Sequence, residues 1–490
     1  MNILTAARQA AAFARGQAVP RASVRHLHLN DAPLVVALQV LAGEPFAPLA
    51  IVWGTDPAAP AGELVVPEPR NRDLRYLALT TFADALLEYL EPYLTFEVQT
   101  NRKGNERPVC EEAPQIVLPT AASVTSFGEA IGRGVLYSPT APTQVRRAAA
   151  FATFLAQQAD RAGQALLVPA TGALGMHWVT GQAELENENL AALLAWIDPE
   201  PTATQPQRLD TIGRRELLAW GPLRRPEADK DLATLVERYN RATSEQHRAR
   251  LAAHIAAEVL PGVRDAYRGT HHALTLLRTL DPVAPGAAAR RNTDRDAWAW
   301  HAQRDAQQRA QGDIPRFSTR DSAEWAARIA ADLEDAAQAL PAVMAFDDPL
   351  IMAEHIEAGE AIAGTVLTVD LTNREVKPGN TNRTRVPLFT LRTDRRPAQP
   401  AGTWMRWADD PSVEVELRAQ RPLPHSATDP TDTPFEVTFA VMAGHRNGTT
   451  VPAAGDEIVV AALEPASGGF GRPGAGPVPW THRPTTGAAA

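Results

Sequence analysis

Hydrophobic positions change their period twice along the chain. Up to residue 142, short apolar runs bounded by turn residues predominate. Pro33 to Leu41 and Leu49 to Trp53, flanked by Gly43, Pro45 and Gly54, read as strands or strand–helix mixtures of a buried sheet. Ser23 to Leu29 alternates like a strand, as do Thr95 to Gln99, Ile116 to Leu118 and Gly134 to Tyr137. Leu74 to Leu94 has helical spacing, with Leu77, Phe82, Leu86, Leu87 and Leu90 on one side. An amphipathic helix closed by Gly16 and Pro20 precedes them. An α/β domain is expected over 1–142.

From 143 to 358 the period is helical and the texture rich in Ala, Leu, Arg and Glu. Helices are predicted over 146–162, 188–197, 229–240, 244–259, 263–280, 294–311, 322–340 and 348–357, with breaks at prolines such as Pro261 and Pro341. No fixed repeat is visible, so a helical domain and not a solenoid is expected.

After Gly359 the period falls to two. Thr365 to Val369, Val386 to Leu391, Val413 to Leu417, Pro434 to Val441 and Glu457 to Ala462 predict five strands, with Phe435, Val437, Phe439 and Val441 on one face. Turn residues between them predict a small antiparallel β-barrel, OB-like, over 359–464. The tail 465–490 is Gly, Pro, Ala and Thr, and is expected to be flexible. The predicted class is therefore multidomain α+β: an α/β domain, a helical domain and a barrel.

Charge changes the picture at one place. The chain carries a net charge of −9, which argues against a protein that coats nucleic acid over its whole surface. Yet Arg374, Lys377, Arg383, Arg385, Arg392, Arg395 and Arg396 are set against only Glu375 and Asp394. With Asn380, Thr381 and Asn382 as extra donors and Phe389, Trp404 and Trp407 nearby, this is the composition of a phosphate-tracking, base-stacking surface. The bland alternative is a solubilising edge with the tryptophans closing a core.

Other chemistry is sparse. Cys110 is the single cysteine, so an internal disulfide or a thiolate zinc site within one chain is excluded. Gly128 to Gly134 lacks the Lys-Ser/Thr of a phosphate loop and reads as a turn. His26 and His28 could share one face of a strand without a third ligand. Asp56, Glu63, Glu97 and Gln99, followed by Arg102 and Lys103, loosely match the acidic pattern of metal-dependent nucleases. Trp298, Trp300, His301, Arg304 and Asp305 cluster on one helix and read first as a structural ion-pair network. Scattered arginines at 70, 72, 75, 146, 147, 224, 225, 290, 291 and 295 are solvated surface unless they converge.

No catalytic signature, cofactor motif or metal set is complete. No apolar run is long enough to span a bilayer and the first residues lack the apolar core of a cleavable signal, so a cytoplasmic location without membrane contact is expected. The Ala/Arg/Pro-rich coding suggests a bacterial source. The expectation is a non-catalytic adaptor that binds nucleic acid, DNA before RNA, through its barrel and docks onto a larger machine such as a helicase, nuclease or defence complex. A nuclease or phosphodiesterase centred on Glu97, or a protein scaffold with no nucleic-acid contact, are the alternatives.

Overall fold

The computed structural model describes residues 3–218, 220–317, 322–376, 383–424, 433–444 and 451–465. They form two compact units, Arg8–Glu334 and a second built from Asp335–Gly474 with Met1–Ala7.

The first unit is organised on a mixed sheet. Helix α1 (Ile3–Arg15), of which the part from Arg8 on belongs to this unit, leads through β1 (Val19–Pro20) to β2 (Leu34–Leu41), β3 (Glu44–Gly54) and β4 (Gly62–Val65), the last three an antiparallel meander. Helix α2 (Arg72–Leu90), capped by the Asn71 carboxamide, then crosses to the separate two-stranded ribbon β5 (Glu97–Thr100) and β6 (Glu106–Val109). Strand β7 (Ile116–Leu118) adds to β2 in parallel, giving the order β4-β3-β2-β7-β8 once β8 (Leu167–Pro169) joins the edge.

Between them run α3 (Ala121–Phe127), a π-turn over Gly128–Arg133, α4 (Gly134–Leu136) and α5 (Thr143–Ala159). The rest of the unit is α6 (Ala170–His177), β9 (Trp178–Val179, paired with β1), α7 (Leu190–Ile197), α8 (Gln205–Glu216), α9 (Pro226–Arg241), α10 (Glu245–Arg278) and α11 (Pro285–Ala310). Helix α12 (Ala323–Asp347) carries the chain across the boundary between the units.

Strand alternation sorts the sheet into two cores. Val36, Leu38, Val40, Ile116 and Leu118 pack with Leu79, Phe82 and Leu86 of α2, Phe151 of α5 and Trp298 of α11. Val35, Ala37, Leu49, Val52 and Val117 pack with Leu174, Leu193, Ile255, Val263 and Tyr267 from α6, α7 and α10. Each such fully buried side chain contributes about 1.5–3 kcal/mol. Beyond the expected division at 142/143, β8 adds to the sheet and α5 and α10 contribute to the cores on its two faces.

Other expectations are corrected locally. Residues 23–29 make one isolated bridge, Arg25 to Val283, and no strand, because loop and side-chain bonds satisfy the backbone: His26 N–H donates to His177 Nε2 at 2.9 Å. Residues 134–136 are helical and Tyr137 is in the turn after them. The glycines before them form a packing seam, since a Cβ at Gly128 would press on Ala156 and one at Gly132 on Thr153, both on α5. The breaks expected at Pro261 and Pro341 do not occur. Both prolines lie inside continuous helices and are exposed, and α10 carries on with Val259 and Val263 buried on either side of Pro261.

The cluster on α11 is structural. Asp305 is fully buried and binds both Arg147 and Arg309. His301 stacks on Phe154 with ring centres 4.1 Å apart, and among the described residues neither ring nitrogen has a hydrogen-bond partner. Burial first, and the Arg304 charge second, push its pKa down to about 3. An unfolded histidine titrates near 6.5, so the neutral ring's contribution is intact above about pH 6.5 and is lost as pH falls toward 3. The expected slope is about 1.4 kcal/mol per pH unit. His301→Phe should flatten this acid limb in urea unfolding. An unchanged slope would assign the acid sensitivity elsewhere.

The second unit opens with α13 (Pro349–Glu357), capped by Asp348, and continues as a closed antiparallel barrel. Its strands are β10 (Ala361–Asp370), β13 (Leu388–Thr393), β14 (Trp404–Trp407), β15 (Asp410–Pro422), β16 (Phe435–Ala443) and β17 (Glu457–Ala461), in the order β10-β13-β16-β15-β14-β17. The hairpin β11 (Arg374–Val376) and β12 (Arg383–Arg385) is a separate pair. The expected strands all form, and β14 supplies a sixth. Phe389, Leu391, Val413, Val415, Leu417, Val437, Phe439 and Val460 fill the interior. Gly364 allows β10 to cross β13, because a Cβ there would overlap the Arg392 carbonyl. Gly364→Ala should destabilise the barrel by about 1–3 kcal/mol, read as a lowered thermal midpoint. An unchanged midpoint would mean that the strand yields.

Candidate nucleic-acid interface

The β11–β12 ribbon is short, and its register is fixed by pairing Arg374 with Arg385, Glu375 with Thr384 and Val376 with Arg383. Successive side chains of a strand point to opposite faces, so Arg374, Val376, Arg383 and Arg385 share one face. All four are exposed, whereas Glu375 and Thr384 behind them are half-buried.

The inner face ties the ribbon to the barrel. Glu375 accepts from Arg418 at 2.8 Å, and Asn373 donates its side-chain amide to the Val386 carbonyl at 2.9 Å while its own carbonyl accepts from Val386 N–H. Val386 is in turn buried against Ala440 and Met442.

The outward face carries three guanidinium groups and no carboxylate. Arg385 donates to the Leu371 carbonyl at 2.7 Å. Among the described residues, no ion pair reaches Arg374, Arg383 or Arg385. Like charges placed directly opposite across strands are destabilising, so the Arg374–Arg385 pair is a feature that folding alone does not favour.

No protein-family model, no curated protein and no solved structure matches this chain.

The remaining candidates divide. Lys377, with Asn380, Thr381 and Asn382, lies outside the described residues. Strand β13 runs away from the ribbon, which places Arg392 near its far end and Arg395 and Arg396 beyond it. Arg392 is exposed and loosely paired with Asp394 at 3.9 Å. Arg395 is held by Glu357 at 2.6 Å, and that hydrogen bond keeps the Glu357 carboxyl below its usual range. Arg396 is exposed in the following loop. Trp404 is 51% exposed on the outer face of β14, whereas Trp407, three positions on and so on the opposite face, packs against the core. Glu416, the register partner of Trp404, shares Arg418 with Glu375 of the ribbon.

The acidic residues of the nuclease alternative do not converge. Glu63 is locked to Arg264 by two bonds of 2.6 and 2.7 Å, the Asp56 carboxylate accepts from Ala58 N–H, and Glu97 stands on the separate β5–β6 ribbon. Among the described residues no group of three or more His, Cys, Asp or Glu is placed to hold a metal. His26 is buried in the loop beside His177. Most of the scattered arginines serve their own unit: Arg70 binds Glu44, Arg75 the Phe46 carbonyl, Arg147 Asp305, Arg224 Glu258 and Arg291 Glu112. Arg418, which fixes the ribbon's inner face, was not legible in the sequence. Its only signal was alternation with Glu414 and Glu416.

Proposed function

We propose that the barrel unit binds nucleic acid through the outward face of β11–β12, and that the protein is a non-catalytic adaptor of a larger bacterial nucleic-acid-processing or defence machine. The observation that carries this reading is the unneutralised trio Arg374, Arg383 and Arg385 on a face whose reverse side is anchored. Guanidinium groups bind phosphate in planar, bidentate fashion and release condensed counterions when they do so.

Duplex DNA is favoured over RNA on shape. A two-stranded ribbon fits the B-form major groove, about 12 Å wide, whereas the A-form major groove is deep and narrow. Trp404, exposed beside Glu416, is the aromatic surface that a single strand would stack on instead, so the preference between duplex and single strand also tests its role.

Fluorescence anisotropy with single-stranded DNA, duplex DNA and duplex RNA tests the reading. Duplex DNA should bind best, with affinity falling steeply between about 50 and 200 mM salt. Absence of salt-sensitive binding to any of the three would remove the proposal, and equal binding of duplex RNA would remove the groove argument.

A further inference from the structure

A cavity in the α/β unit is a candidate site independent of the ribbon. A cavity of about 530 Å³ opens between the C-terminal half of α7, the loop after it, α8 and the middle of α10. Its size is that of a pocket for a small organic ligand. One wall is aromatic: the Trp220 ring lies directly against α10 at Gly269, where any Cβ would collide with the ring.

The polar groups around that ring are of two kinds. His272 Nε2 lies 2.9 Å from Asp198, Arg268 pairs with Asp265 at 2.8 Å, and Glu200, a third carboxylate of the lining, accepts from the Thr202 hydroxyl at 3.3 Å. Two cations form the second kind. Arg208 donates to Gln17 Oε1 at 3.2 Å and to the Pro201 carbonyl at 3.2 Å, its Nε is buried without a partner, and among the described residues no carboxylate pairs with it. Arg215 is exposed, and its guanidinium carbon is 5.9 Å from the Trp220 ring centre, at the outer limit of a cation–π contact. No carboxylate pairs with Arg215 among the described residues either.

A flat aromatic surface flanked by two guanidinium groups that pair with no carboxylate among the described residues, with Asp198, His272 and Glu200 as further polar partners, matches a ligand that is planar at one end and anionic at the other. We propose that this cavity binds a free nucleotide, its base stacked on Trp220, its phosphates on Arg208 and Arg215, and its sugar or base edge toward Asp198 and His272. Stacking on an aromatic side chain and a bidentate phosphate contact are the two interactions the lining supplies.

Thermal-shift and calorimetric titration of the full chain with AMP, ADP, ATP and GTP, and with pyrophosphate alone, tests this. At least one nucleotide should raise the unfolding midpoint and bind at least tenfold more tightly than pyrophosphate. Arg215→Ala, an exposed change that leaves the packing intact, should weaken nucleotide binding at least tenfold. Trp220→Leu should remove the advantage over pyrophosphate. No binding of any nucleotide at millimolar concentration, binding indifferent to Arg215→Ala, or pyrophosphate binding as tightly as nucleotide would each overturn the proposal. Replacing the ribbon arginines should leave this binding unchanged, so the two sites fail separately.

Discussion

Replacing Arg374, Arg383 and Arg385 together with glutamine is expected to abolish most duplex binding while leaving the barrel folded. If each arginine neutralises one phosphate, the slope of log affinity against log salt should become shallower by about 2.7 for B-DNA. Over the fourfold range from about 50 to 200 mM salt, that slope corresponds to a change of about 40-fold in affinity. The single replacements should each remove about a third of the slope.

The same triple substitution removes a repulsion. Arg374 and Arg385 face each other in register with no carboxylate on their side of the ribbon, so the thermal midpoint should hold or rise slightly, by a few tenths of a kcal/mol. Binding and stability moving in opposite directions would separate loss of contact from loss of fold. A variant that binds as before, or that unfolds, would remove the ribbon from the argument.

Asp305→Ala is expected to be the most destabilising single change in the α/β unit, at about 3–5 kcal/mol. The Asp305 side chain has no solvent exposure, and it accepts from Arg147 at 3.2 and 2.9 Å and from Arg309 at 2.8 Å. Truncation leaves the Arg147 guanidinium, itself only 17% exposed, without its counter-charge beside Phe151. A domain's whole stability is about 5–15 kcal/mol, so urea unfolding should shift by a large fraction of the transition. Combining Asp305→Leu with Arg147→Met should recover most of the loss, since a buried pair is often replaced by apolar groups with little penalty. A loss under about 1 kcal/mol for Asp305→Ala would mean that water reaches the pair.

In the barrel unit, apolar alternation marked the strands because each faces solvent on one side and core on the other. Val413, Val415 and Leu417 fall inward as their spacing requires, and so do Phe439 and Val441. Strand β14 was hidden because four residues, two of them tryptophans, carry no readable period. Within it, alternation turns Met405 and Trp407 toward the core and leaves Trp404 facing out. In the α/β unit, the helices on both sides of Pro261 were visible while their continuity was not. That continuity rests on burial of Val259 and Val263 against the sheet.

The seven basic residues between 374 and 396 look alike in the sequence, and the fold gives them different environments. Arg395 finds Glu357, a partner 38 positions earlier. The ribbon trio finds no carboxylate among the described residues, because strand pairing puts Glu375 on the opposite face, bound to Arg418. Likewise Arg208 and Arg215, two turns apart on α8, come to face Gly269 and His272 across one cavity only through the packing of α8 and α10.

Taken alone, the amino-acid order determined which segments become helix or strand and where cationic residues are concentrated, since both follow from spacing over a few positions. Tertiary structure decided where the chain divides into units, which arginines are neutralised and which ring lies open. Those outcomes depend on partners brought close by pairing and packing across tens to hundreds of residues, and no local pattern encodes them.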